Sequence, residues 1–207
     1  MQLQINTLTS LYWRGLLLCL CSLLNACSDG NQKITLSSDS VIIAFGDSLT
    51  QGVGAAPDDS YPSVLSRELG LQVINEGVSG ETSAQGLARL EAILRSTPPD
   101  LVILCHGGND LLRKLPMTAL EQNLEQMIAL IESYQAQVLL VAVPKPAIFL
   151  TPSPLYQTLA KRHQLVADLD TLTELLKEPA MKSDAVHLNA LGYQALALAI
   201  ADRITID

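Results

Sequence analysis

From Val41 onward, short and wholly apolar runs alternate with longer stretches whose apolar residues recur at helical spacing. Val41–Phe45, Gln72–Asn75, Leu101–Cys105 and Gln137–Val143 are rich in Val, Ile and Leu, the mark of strands buried on both faces. Leu165–Ala167 is a weaker run of the same kind. Between them, Tyr61–Leu69, Ser83–Arg95 and Thr118–Tyr134 read as helices. The third is clearest, with Leu120, Leu124, Met127, Ile128 and Ile131 falling on one face. A further helix around Leu155–Lys161 precedes the last strand. The chain closes with a helix over Ala190–Ile204, its apolar positions including Leu191, Leu196, Leu198 and Ile200, and Asn189 is placed to cap it.

Strands that alternate with crossover helices predict one parallel sheet covered on both faces, an α/β fold with three layers. Such sheets hold their chemistry beyond the carboxyl ends of the strands. Candidate residues are therefore expected just after a strand.

The first 40 residues break the pattern. Arg14 is the only charged side chain before Cys27, and Leu16-Leu17-Leu18-Cys19-Leu20-Cys21 follows it, the layout of an export signal. The apolar run falls short of the roughly 20 residues needed to span hydrocarbon. An ordinary signal peptidase needs a small residue where Leu24 stands, whereas Leu24-Asn25-Ala26-Cys27 resembles a bacterial lipobox. The expected division is a lipoprotein signal peptide over 1–26, a lipid-modified Cys27 with a polar, unperiodic tether to residue 40, and one domain over 41–207. An uncleaved anchor or ordinary secretion are the alternatives. Resemblance to known lipoproteins, with Ser28 rather than Asp after the Cys, implies the outer membrane of a bacterial envelope, facing the periplasm.

Composition narrows the class. With 207 residues, 48% of them hydrophobic and a formal charge of -8, the chain is globular and a poor partner for nucleic acid. Of its four cysteines, Cys19 and Cys21 leave with the signal, Cys27 carries lipid, and Cys105 sits inside an apolar strand, so no disulfide is expected.

The chemistry-bearing candidate at the end of the first strand is Ala44-Phe45-Gly46-Asp47-Ser48-Leu49-Thr50-Gln51-Gly52. Ser48 needs a base to be a nucleophile, and only three histidines are available. His163 lies in a charged helical stretch and reads as solvated, while His106 follows a strand but has no carboxylate spaced to orient it within its own segment. Its expected place is in the site wall or behind it. His187 has Asp184 three residues before it, where one turn brings a carboxylate to Nδ1 and leaves Nε2 free. Two glycine loops, Asn75 to Thr82 and Gly107-Gly108-Asn109-Asp110, also follow strands and could supply oxyanion donors. Taken singly, each of these features also fits an ordinary turn or helix cap.

Together and in this order, "FGDSLTQG", Gly80, "GGND" and "DAVH" resemble the SGNH, or GDSL-type, hydrolase superfamily over the whole stretch from Val41 to Ile204. "NEGVSGETSAQGLARL" is most similar to its small bacterial thioesterase, arylesterase and lysophospholipase members. The resemblance implies Ser48 as nucleophile, Asp184 and His187 as its partners, and an oxyanion hole of the Ser48 and Gly80 N–H groups with the Asn109 side chain. It also implies a flavodoxin-like fold with five parallel strands and no metal or cofactor. Ala185 and Leu188 stand where the family more often has Gly and Pro. No G-x-S-x-G elbow occurs, against an α/β-hydrolase arrangement. Asp47 is expected to hold the turn.

Pro144–Pro154 follows the fourth strand, and Ile148, Phe149 and Leu150, with Leu111 and Leu112, would either line an acyl groove or close the core. The expected reaction is hydrolysis of short- to medium-chain acyl esters, including lysophospholipid, through an acyl-serine. A carbohydrate or peptidoglycan O-acetylesterase and a non-catalytic binding lipoprotein are the rivals.

Overall fold

The computed structural model describes residues 33–145 and 150–207. The signal segment and Cys27, as well as Ile148 and Phe149, lie outside the described residues. The apolar runs form a five-stranded parallel sheet of β2 (Val41–Gly46), β3 (Gln72–Gly77), β4 (Leu101–Cys105), β5 (Gln137–Val141) and β8 (Val166–Asp168). Their order is β3-β2-β4-β5-β8, the flavodoxin-like arrangement. Every residue of β4 is fully buried, which is why that run carries no polar alternation.

Helices cover both faces. α1 (Ser48–Gln51) and α2 (Tyr61–Leu69) follow β2, α3 (Ser83–Ser96) follows β3, and α4 (Gly108–Leu112) and α5 (Met117–Ser133) follow β4. A short antiparallel pair, β6 (Pro144–Lys145) and β7 (Thr151–Pro152), follows β5, and α6 (Pro154–His163), α7 (Thr171–Lys177) and α8 (Ala190–Ala201) come after it. α2 packs on α8 and α3 on α5, giving the outer layers of the sandwich. The five apolar positions expected on α5 are all buried. On α8, Leu196 and Ile200 face the core, but Leu191 and Leu198 are 58% and 42% exposed, and Gly192, Tyr193 and Ala197 take the inner face instead. Asn189 caps α8 as expected, its side chain accepting from the Gly192 N–H at 3.0 Å. His163, expected on the surface, is half-buried at the end of α6.

Part of the stretch read as a tether is structured. Ile34–Leu36 forms β1, paired in parallel with β9 (Ile204–Ile206), and buries Ile34 and Leu36. Three residues with one polar position are too short to show a period, so the sequence carried no signal for it. The expected helix over Ala190–Ile204 stops at Ala201 for the same pairing.

The register brings three loops to one level. Gly46 pairs with Gly77 of β3 on one side and with Cys105 of β4 on the other. Chain direction across the sheet reverses at β2, so the loops after β2, β3 and β4 open around the crevice where such sheets bind ligands.

Candidate active site

Ser48 opens α1 two residues after β2, and Asp47 caps that helix, its Oδ1 accepting from the Leu49 N–H at 3.1 Å. The last site loop comes from the far end of the chain. Asp184 Oδ1 accepts from the backbone N–H groups of Val186 at 2.8 Å and His187 at 2.9 Å, which curls the loop into a turn. That turn sets Asp184 Oδ2 2.7 Å from His187 Nδ1. His187 Nε2 then lies 3.0 Å from Ser48 Oγ. With Nδ1–H donating to the carboxylate, Nε2 is the nitrogen left to accept from the serine hydroxyl. Burial pushes the Asp184 carboxyl up, but the His187 side chain and the two backbone donors outweigh it and hold it below its usual range. The absence of Gly and Pro at positions 185 and 188 does not disturb the turn. Ser183 braces it from outside, its N–H donating to the His187 carbonyl at 3.0 Å.

The glycine loops face this serine. Gly80 has φ +79°, a left-handed conformation that glycine adopts without strain. Arg113 Nη2 donates to its carbonyl at 2.8 Å, fixing the peptide. Among the described residues neither the Ser48 nor the Gly80 N–H has an acceptor. Asn109 Nδ2 donates to the Glu81 carbonyl at 3.0 Å and, loosely, to Asp47 Oδ2 at 3.4 Å. The weaker of those two is the one an oxyanion can replace. Asp110, the last residue of "GGND", is buried and receives the Ser83 N–H at 2.8 Å and hydroxyl at 2.6 Å, tying α4 to the start of α3. Asp47 is buried between α1 and α4, and burial raises its carboxyl above the usual range despite nearby His106, Leu49 and Gly108. It holds two helix starts, as expected of a turn residue.

These groups surround a cleft of about 360 Å³. Leu49, Leu112, Val143, Leu150, Leu176 and Val186 supply its apolar wall, while Ser48, Gly80, Asn109 and His187 supply its polar end. Leu112 and Leu150 therefore line it, but Leu111, expected beside them, turns into the core on the opposite side of α4. Leu176 was not anticipated, because α7 carries too short an apolar pattern to place it.

His106 is not the base. Its ring is fully buried and both nitrogens are engaged elsewhere, Nε2 3.1 Å from Glu81 Oε2 and Nδ1 accepting from the Gly107 N–H at 2.9 Å. The carboxylate that orients it comes from the preceding loop, 25 residues earlier. Among the described residues no group of three His, Cys, Asp or Glu side chains is placed to hold a metal ion. Cys105 is a free, buried thiol in β4.

The sheet thus brings a serine, a glycine, an asparagine and a histidine together from four separate loops, an arrangement able to carry acyl transfer. Residues 44–195 match the model of the GDSL-like Lipase/Acylhydrolase family. The chain is 36% identical over 128 residues to an arylesterase of Vibrio mimicus, covering 59% of this chain and 60% of that protein. It is 32% identical over 161 residues to thioesterase 1/protease 1/lysophospholipase L1 of Escherichia coli (strain K12), covering 74% of this chain and 77% of that one. The crystal structure of AlinE4, an SGNH-hydrolase family esterase, superposes with a TM-score of 0.64 at 32% identity, over 81% of this chain and 95% of that one. The chain belongs to the GDSL-like lipase/acylhydrolase family. The match spans less than two thirds of the length of the Vibrio arylesterase.

Proposed function

We propose that the protein hydrolyses short- to medium-chain acyl esters through an acyl-serine intermediate. Ser48 Oγ attacks the ester carbonyl as His187 Nε2 takes its proton, and Asp184 stabilises the imidazolium. The Ser48 and Gly80 N–H groups and Asn109 Nδ2 hold the developing oxyanion. His187 returns the proton to the leaving alcohol, and water then repeats the sequence to release the acid. The observation that carries this reading is the unbroken hydrogen-bond chain from Asp184 through His187 to Ser48 at the polar end of an apolar cleft.

The cleft favours an acyl chain over a bare acetyl group, since several leucines extend its wall beyond Ser48. Lysophospholipid carries one such acyl chain, and the name of the Escherichia coli relative includes lysophospholipase. Attachment through lipid at Cys27, at the outer membrane facing the periplasm, completes the reading on the strength of the lipobox-like segment.

A series of p-nitrophenyl esters of increasing chain length, run with and without a serine-reactive phosphonate, tests it. Activity should persist beyond acetyl, the phosphonate should abolish it, and Ser48→Ala should be inactive and unlabelled. A sharp fall after acetyl would support an O-acetylesterase instead. Full activity in Ser48→Ala overturns the mechanism. Labelling of intact protein with radioactive palmitate, lost in Cys27→Ser, tests the anchor.

A further inference from the structure

Behind the cleft wall lies a partly buried ionic cluster that the hydrolytic steps do not use. Arg89 on α3 donates from Nε to Glu81 Oε1 at 2.7 Å and from Nη2 to Oε2 at 2.8 Å, a two-pronged grip on the carboxylate. The same Nη2 donates to the Glu76 carbonyl at 2.8 Å, and the guanidinium lies 4.2 Å over the Phe45 ring. Burial pushes the Glu81 carboxyl up, but hydrogen bonds from His106 and Arg89 and the Arg89 charge bring it down to about 2.

His106 closes the cluster from the other side. The Gly107 N–H donates to its Nδ1 at 2.9 Å, so the ring proton sits on Nε2 and is given to Glu81 Oε2. The tautomer is set by the backbone. Its own carbonyl accepts from the Tyr156 hydroxyl at 2.7 Å, so ring and peptide are both held.

Glu81 is also the residue whose carbonyl receives the Asn109 amide, and it directly follows Gly80. Its side chain and its main chain thus face opposite ways, one into the cluster and one toward the cleft. We propose that His106 is a positioning residue: by holding the Glu81 side chain it fixes the Glu81 carbonyl, and that carbonyl aims the Asn109 amide at the oxyanion. The proposal rests on the oxyanion role given to Asn109 above. His106 touches no substrate. Its effect is confined to the transition state, where the aim of a donor counts and ground-state binding does not.

The test is a double-mutant cycle in the intact chain between His106→Leu and Asn109→Ala, read as kcat and KM on one ester with folding checked by circular dichroism. Alone, His106→Leu should lower kcat about 10- to 100-fold, the scale for a displaced catalytic group, with KM little changed. In the Asn109→Ala background its further effect should fall within about twofold, because the group it aims is gone. His106→Gln, which presents a donor to Glu81 from the position of Nε2, should stay within about threefold of the parent. An unchanged kcat in His106→Leu, or the same loss in both backgrounds, overturns the proposal while leaving the oxyanion reading intact. A loss in His106→Gln as large as that of the leucine variant, or beyond about tenfold if the leucine variant does not fold, overturns it too. If Asn109→Ala alone leaves kcat unchanged, the oxyanion reading falls and the proposal with it.

Discussion

Gly86, inside α3, faces the imidazole of His106 so closely that a side-chain carbon there would meet Nε2 well inside contact distance. A helix interior ordinarily gains about 1 kcal/mol when Gly becomes Ala. Here the added methyl must displace a ring held at both nitrogens, and overpacking of that kind costs about 1–3 kcal/mol. Gly86→Ala should therefore destabilise the protein rather than stabilise it. In a His106→Ser background, where the ring is absent, the same change should become neutral or stabilising. Chemical unfolding of the four proteins reads the change of sign.

Asp184 is half exposed, with its side chain 52% open to solvent, although it sits 2.7 Å from His187 Nδ1. Replacing a buried triad aspartate by its amide costs about 10⁴ in kcat, because the imidazole takes the wrong tautomer. Water can reach His187 here and restore the tautomer in part. Asp184→Asn should thus retain more activity than Ser48→Ala or His187→Ala, with the loss seen in kcat and little change in KM. Steady-state kinetics of the three variants gives the ranking.

Acid stability should report on Glu81. A carboxyl whose folded pKa of about 2 lies below its unfolded value adds stability above the unfolded value and loses it as pH falls through the folded one. The contribution, on the order of 3 kcal/mol at neutral pH, should fade between about pH 5 and pH 2. Glu81→Gln should accordingly be less stable than the parent at pH 7, and the two should converge near pH 2. Urea unfolding across that range measures the gap; a gap that widens toward acid contradicts the assignment.

Leu112 lines the cleft while remaining 46% exposed, so a larger side chain can be accommodated there without repacking the core. Leu112→Trp should narrow the acyl path and shift the preferred ester toward shorter chains. Lost contact with a few methylenes, roughly 1–3 kcal/mol, corresponds to a fall of about 10- to 100-fold in kcat/KM for the longest chains. Acetyl ester turnover should change little. An unaltered chain-length profile places the acyl chain elsewhere.

How much of this was readable in advance depended on distance along the chain. β4 is apolar at all five positions and buried at all five, and α5 shows its buried face as a plain helical repeat, so burial wrote both into the sequence. Asp184 and His187 lie within one turn of each other, which made their pairing visible. The Glu81–His106 contact was not, because a carboxylate 25 residues away leaves no local spacing to find. Short helices escaped for a related reason. α1 and α4 span four and five residues, too few to display a period, and owe their position to Asp47 and Asp110 at their starts. Leu191 and Leu198 misled in the other direction, since α8 is apolar on most sides and its inner face was chosen by packing on α2 and α7.

The small β1–β9 ladder ties the start of the described chain to its end. Ile34 donates to the Arg203 carbonyl just past the end of α8, and Thr35 accepts from the side chain of Gln137, the first residue of β5. α8 begins beside His187 and runs 12 residues, so this point of entry is about 18 Å of helix away from the catalytic loop. A substitution that frays this ladder, at Ile34 for example, therefore acts on the face of the domain remote from Ser48 and leaves the mouth of the cleft as it is.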